Sequence, residues 1–194
     1  IIYEKDSYSL RQDDYISQVE AQVLQLEYKD NVPRSRSNIN PTINYRREID
    51  FISKSNYRNK IITKLCKLLD NNALVLVDFI EHGETLFNIL NTELSDKQVF
   101  FIQGVIPVEE RDEIKKKMEV DNNIICIAVS KIFSTGISIK NLHYITFAGG
   151  GKAKVKTIQS IGRGLRQHKN KNKMIIFDLA DQLHYGRLHS EKRM

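Results

Sequence analysis

From residue 74 onward, short unbroken apolar runs alternate with longer segments whose apolar positions recur at helical spacing. The runs are 74–79, 99–102, 124–129, 144–147 and 174–177, rich in β-branched and aromatic residues with little polar alternation. Strands covered on both faces have this character, because neither side meets water. Between them, 84–95, 109–119 and 155–166 read as amphipathic helices, and Leu86, Ile89, Leu90 and Leu94 form the stripe of the first. A further helix at 58–70 carries Ile61, Ile62, Leu65, Leu68 and Leu69 inward and ends at Asp70-Asn71-Asn72. The alternation predicts an α/β fold with a parallel sheet and helices on both faces.

The first 57 residues are less regular. Residues 19–28 waver between strand and helix and lean to strand, 31–41 read as a loop punctuated by Pro33 and Pro41, and 43–54 look helical. The expected organisation is therefore an amino-terminal linker or extension packing on the lobe over 1–57, the main lobe over 58–181, and the start of a truncated helix over 182–194. The chain opens on Ile1 rather than Met, which reads as a segment of a longer polypeptide.

Charge sharpens the picture. The net charge is +6, and it is unevenly placed. Residues 1–33 hold seven acids against three bases, whereas 151–173 hold eight bases and no acid. A local block of one sign suits a polyanion, nucleic acid or nucleotide, although a solvated basic loop would look the same. No apolar run approaches the roughly 20 residues of a membrane helix, so no membrane partner is expected. Cys66 and Cys126 lack any paired spacing and read as buried thiols of a reducing cytoplasm.

Candidate chemistry concentrates at strand ends. In open parallel sheets, ligands bind beyond the carboxyl ends of the strands. Three polar, glycine-bearing turns are expected there: Glu81-His82-Gly83, Gln103-Gly104, and Ser130 through Gly136. Farther on, Gln159-Ser160-Ile161-Gly162-Arg163-Gly164-Leu165-Arg166 places two arginines three residues apart on one expected helix face. Each guanidinium is a rigid fork that fits phosphate oxygens, and the pair can aim at one point. Phosphoryl transfer spreads its developing charge over several oxygens, and such a pair can meet it.

Two other segments do not carry their apparent chemistry. Gly149-Gly150-Gly151-Lys152-Ala153 fails the phosphate-loop pattern, with Thr146 in place of its first glycine and Ala153 in place of its Ser/Thr. Met174-Ile175-Ile176-Phe177-Asp178 lacks a following Glu, and Asp178 is expected to end its strand and cap the next turn.

Taken in order, these segments resemble the second RecA-like lobe of superfamily 2 helicases and translocases over residues 74–180. Residues 74–79 with Ile80-Glu81-His82-Gly83 resemble motif IV. Phe101-Ile102-Gln103-Gly104 with Glu109-Glu110-Arg111 resembles motif IVa, Ala128 through Ile139 motif V, and Gln159 through Arg166 motif VI. Phe133 through His143, with the Arg58-Asn59-Lys60 helix start, is most similar to phage recombination helicases of the UvsW type.

The resemblance implies a RecA-like lobe, nucleotide-hydrolase in ancestry but without its own phosphate loop. Arg163 and Arg166 would reach the γ-phosphate of ATP, Arg166 as the finger. Gln159 would tie the motif to the nucleotide or the facing lobe, and Gly136 would let the backbone approach the cleft. Ser138 stands where many relatives place a ribose-binding aspartate, and its hydroxyl would still hydrogen-bond there. Ser130, Lys131 and Thr135 would meet nucleic-acid phosphates, with His82, Gly83, Gly104 and Arg111 on the same strand-binding face.

Several of these site residues have a plainer reading. The glycines could be turn residues at positive φ, Ser130 and Thr135 helix caps, His82 a hydrogen-bonded turn residue, and Arg111 one half of a helix-surface ion pair. Arg163 and Arg166 could bind nucleic acid instead of ATP.

ATP and Mg2+ would be bound mainly by a first lobe of the same polypeptide, since this sequence contains neither Walker motif. The segment by itself is expected to be inactive. The implied whole is a cytoplasmic ATP-dependent DNA helicase acting in recombination or repair, with DNA favoured over RNA as partner. The alternatives are an RNA helicase or restriction-type translocase lobe, a nucleic-acid-binding module without hydrolysis, or a metabolic nucleotide enzyme with a similar sheet.

Overall fold

The computed structural model describes residues 18–29, 32–33, 40–133, 139–150, 171 and 173–191. Six strands form one sheet: β1 (Gln18–Leu26), β2 (Ala73–Val77), β3 (Gln98–Ile102), β4 (Ile124–Val129), β5 (Tyr144–Phe147) and β6 (Lys173–Asp181). Their spatial order is β1-β6-β5-β2-β4-β3, and every pairing is parallel. The helices among the described residues are α1 (Pro41–Lys54), α2 (Asn56–Leu68), α3 (Ile80–Glu93), α4 (Val108–Val120), the short α5 (Ser130–Phe133) and α6 (His184–Glu191).

The unbroken apolar runs are explained by two cores. Alternate residues of each central strand point to opposite faces. Ala73, Val75 and Val77 of β2 and Ile125, Ile127 and Val129 of β4 join Ile62 and Cys66 of α2 and Leu86 and Leu90 of α3. Leu74 and Leu76 with Ile124, Cys126 and Ala128 turn the other way, onto Ile114 and Met118 of α4 and onto Ile139 and Leu142. The sheet thus has helices on both faces, and its middle strands have no solvent side. Both cysteines are buried, and burial pushes each thiol up to about 12, which leaves them protonated at neutral pH.

Helix boundaries have local causes. Asn40 caps α1 by accepting from the Thr42 N–H at 2.8 Å, with Pro41 in the first turn, where its missing N–H costs nothing. Ser55 both ends α1 and caps α2, its hydroxyl accepting from the Arg58 N–H at 3.3 Å. Glu48 of α1 crosses to the start of α6, accepting from the N–H groups of Tyr185 (3.0 Å) and Gly186 (2.6 Å). That placement puts a carboxylate at the positive end of a helix dipole. None of the described helices is long and apolar enough to cross a membrane.

The segment that leans to strand at 19–28 is β1, which hydrogen-bonds to β6 along its length. Two expectations change. Asp178 does not end a strand. Asp178 is paired on both sides, opposite Val23 of β1 and Phe147 of β5, and pairing with β1 carries β6 on to Asp181. Glu81-His82-Gly83 is the first turn of α3 and not a loop.

Asn72, read as part of a helix-ending cluster, is a buried tie at the amino-terminal strand edge. Its side-chain N–H2 lies 2.7 Å from the carbonyls of Met118 and Asp121 and 3.1 Å from that of Asn141. Its side-chain oxygen accepts from the Ile124 N–H at 3.0 Å.

Candidate nucleic-acid interface

All six strands point the same way, so their carboxyl ends share one edge. The end of β2 brings Asp78 and Phe79, β3 brings Gln103 and Gly104, β4 brings Ser130 and Lys131, and β5 brings Ala148, Gly149 and Gly150. Ser130 opens α5 against β2. Its hydroxyl lies 2.9 Å from the Val77 carbonyl and 3.2 Å from Asp78 Oδ1, and its single proton serves one of them at a time. That leaves its oxygen lone pairs for a donor from outside. Lys131, next in the chain, is exposed. A hydroxyl and an ammonium on adjacent residues at a strand end suit phosphate contacts.

Gly104 sits in an exposed turn, and a Cβ there would meet nothing within 4 Å. Neither Gly104 nor Gly83 adopts a positive φ, so their conformations do not require glycine. Gly83 is required for space: a Cβ would run into the Phe101 ring, and its N–H is already given to the Phe79 carbonyl at 3.1 Å. Arg111, in the first turn of α4, donates from Nε to the Ile106 carbonyl at 2.9 Å, closing the loop after β3.

His82 does not face the edge. It is 3% exposed, and its Nε2 lies 3.1 Å from Asn59 Oδ1. Burial, helped by the Arg58 charge, pulls its pKa down to about 3, so the ring is neutral at physiological pH. Its side chain serves the core.

Arg163, Arg166, Gln159, Gly136, Ser138 and Thr135 lie outside the described residues. Among the described residues, no group of three or more His, Cys, Asp or Glu side chains could hold a metal ion.

Reasoning from sequence missed one cluster at this edge. Arg58 is fully buried, although it opens α2. Its Nε and Nη2 donate to the two oxygens of Asp181 at 2.9 and 3.2 Å, and its Nη1 donates to the Ala148 carbonyl at 2.6 Å. The Tyr28 hydroxyl donates to the same Asp181 carboxylate at 2.5 Å, and burial, with that negative charge beside it, raises the Tyr28 pKa. The cluster therefore joins the ends of β1, β5 and β6 to the start of α2. Its one sequence signal was an arginine at a helix start on an otherwise apolar stripe.

The model of the helicase conserved C-terminal domain matches residues 58–168. The chain belongs to that family. The matched helicase segment begins at Arg58, while the sheet extends beyond it to β1. The chain is 38% identical over 140 residues to the ATP-dependent DNA helicase uvsW of Enterobacteria phage T4, covering 71% of this chain and 28% of that protein. The crystal structure of T4 UvsW superposes with a TM-score of 0.71 at 31% identity, over 91% of this chain and 38% of that one. The C-terminal part of the Fun30 ATPase domain (TM-score 0.60, 78% of this chain and 49% of that one) shares the fold at 18% identity. So does domain 2 of the Mss116p DEAD-box helicase, at 18% identity and a TM-score of 0.52, over 69% of this chain and 51% of that one. This is a RecA-like C-terminal helicase lobe of superfamily 2, and it spans under a third of the curated relative's length.

Proposed function

We propose that this lobe is the C-terminal half of the motor of an ATP-dependent DNA helicase or translocase that remodels branched DNA in recombination or repair. The observation that carries this reading is the strand-end face, where the Ser130 hydroxyl and Gly149 both abut Asp78 and Lys131, next after Ser130, is exposed. The relationship to a phage DNA helicase favours DNA over RNA and a host-cytoplasmic setting.

In this reading the first lobe of the same polypeptide holds ATP and Mg2+, and ATP supplies the free energy of the stroke. Arg166 and Arg163 answer the charge that develops on the γ-phosphoryl oxygens, and Gln159 ties them to the facing lobe. Gly136 lets the backbone close on the cleft, and Ser138 offers a hydroxyl to the ribose. Ser130, Lys131 and Thr135 grip one strand through its phosphates, with backbone donors near Gly104 and the Arg111 guanidinium alongside. Gripping and releasing as the lobes close and open converts hydrolysis into stepping. Without the first lobe, this segment is inactive.

The test is strand separation by the full-length protein on forked and four-way DNA beside an RNA duplex of the same sequence. ATP-dependent remodelling of the branched DNA, weakened by Lys131→Ala with a shallower salt dependence of binding, is expected. Activity confined to RNA, or none on any substrate, would replace the reading.

A further inference from the structure

The three residues that follow β5 are held more tightly than a loop at a ligand edge needs. The Ala148 carbonyl takes its hydrogen bond from Arg58 Nη1 at 2.6 Å, and the Ala148 and Gly149 N–H groups both reach the Leu76 carbonyl, at 2.8 and 3.0 Å. A Cβ on Gly149 would lie 2.5 Å from the Asp78 carboxylate, whose Oδ1 is 3.2 Å from the Ser130 hydroxyl. A Cβ on Gly150 would collide with the Cδ1 atom of Ile52, and the Gly150 carbonyl lies 3.2 Å from His189 Nδ1. The chain that leaves this clamp is the one carrying Arg163 and Arg166.

The buried pair behind the clamp has a cost that stability alone does not explain. Arg58 and Asp181 are 0% and 3% exposed, and two charges taken out of water are often no better for stability than apolar side chains of the same volume. What the pair offers is direction. A planar guanidinium bound to both oxygens of Asp181, with Tyr28 also donating to Oδ1 of that carboxylate, has one orientation left for Nη1. That orientation fixes the Ala148 carbonyl.

We propose that Arg58, held by Asp181 and Tyr28, is a positioning residue for ATP hydrolysis: through the Ala148 carbonyl it sets where the arginine-bearing segment leaves the sheet. The inference rests on the reading of Arg166 as the finger. The packing of Gly149 on Asp78, and of Asp78 on Ser130, makes the same exit contiguous with the strand-gripping residues.

The experiment is a double-mutant cycle in the full-length protein, read as steady-state ATP hydrolysis with DNA bound, and as single-turnover hydrolysis for variants too slow to follow that way. Arg58→Lys keeps the charge but cannot serve both Asp181 oxygens and the carbonyl from one planar fork. Its kcat is expected to fall about ten- to a hundredfold, as for a misplacement remote from the chemistry, with ATP KM and DNA affinity within about twofold. In an Arg166→Ala background, Arg58→Lys should change the rate no further. Tyr28→Phe, which removes one hold on Asp181 and leaves Asp78 and Ser130 untouched, should show the same two signatures and decides the matter if Arg58→Lys does not fold.

An unchanged kcat in Arg58→Lys, or losses that multiply fully with Arg166→Ala, would overturn the positioning role and leave the finger standing. A full rate in Arg166→Ala by itself would bring down the finger reading and this inference with it.

Discussion

Replacing Gly83 by alanine sets two effects of opposite sign against each other. Gly83 lies in the first turn of α3, where alanine stabilises a helix by about 0.5–1 kcal/mol over glycine. Against that, the new methyl would enter the ring of Phe101, whose Cδ2 atom would lie 3.3 Å away and whose Cε2 and Cζ atoms would be nearer still. The ring is packed against the core on the α2–α3 face, so it cannot swing aside freely. Overpacking of this kind costs about 1–3 kcal/mol, which outweighs the propensity gain and leaves a net loss of about 1 kcal/mol. With a urea m-value of about 2 kcal/mol/M, the midpoint should fall by about 0.5 M at constant m. In a Phe101→Leu background the collision is gone, and Gly83→Ala should raise the midpoint. A rise on the native background, or a cycle additive within about 0.5 kcal/mol, would refute the claim that Gly83 exists to admit Phe101.

Other consequences follow from the buried polar groups. His82 has a folded pKa of about 3, below its unfolded value, so the folded state binds fewer protons and its contribution is full above the unfolded pKa. Stability should fall as pH drops from about 6.5 toward 3, with a slope from this one group of up to about 1.4 kcal/mol per pH unit. His82→Gln should flatten that slope in acid titrations followed by urea midpoints, and parallel curves would contradict it. Asn72→Asp keeps the shape but turns a donor into an oxygen facing three carbonyls, and should cost about 3 kcal/mol or more in urea unfolding. Glu48→Ala uncaps α6 and should cost about 1 kcal/mol, seen first as faster hydrogen exchange at the Tyr185 and Gly186 amides.

The central strands were legible because burial on both faces leaves an unbroken apolar run, and β2 and β4 have that pattern at every position. β1 was ambiguous because an edge strand is half exposed and its polar residues break the run. The end of β6 was misread because Asp178 looks like a strand stop, while the pairing on both sides that keeps it in the strand is not a local property. The turn expected at His82-Gly83 had polar and glycine content for a reason the sequence does not show, namely an inward hydrogen bond and an approaching ring.

At the candidate site, the strand-end position of Ser130 and Lys131 follows from the apolar run before them, while the role proposed for them comes from the family resemblance. The Arg58–Asp181–Tyr28 cluster does not, because its members are separated by 123 and 153 positions and meet only once the sheet is assembled.

Whether the lobe belongs to a working motor is tested most directly by ATP hydrolysis of the full-length protein, with and without forked DNA, beside its Arg166→Ala variant. The account predicts DNA stimulation of the native protein and a loss of roughly 10³-fold or more in the variant, with DNA binding retained. A native protein that never hydrolyses ATP, or a variant that hydrolyses it at the native rate, would contradict it.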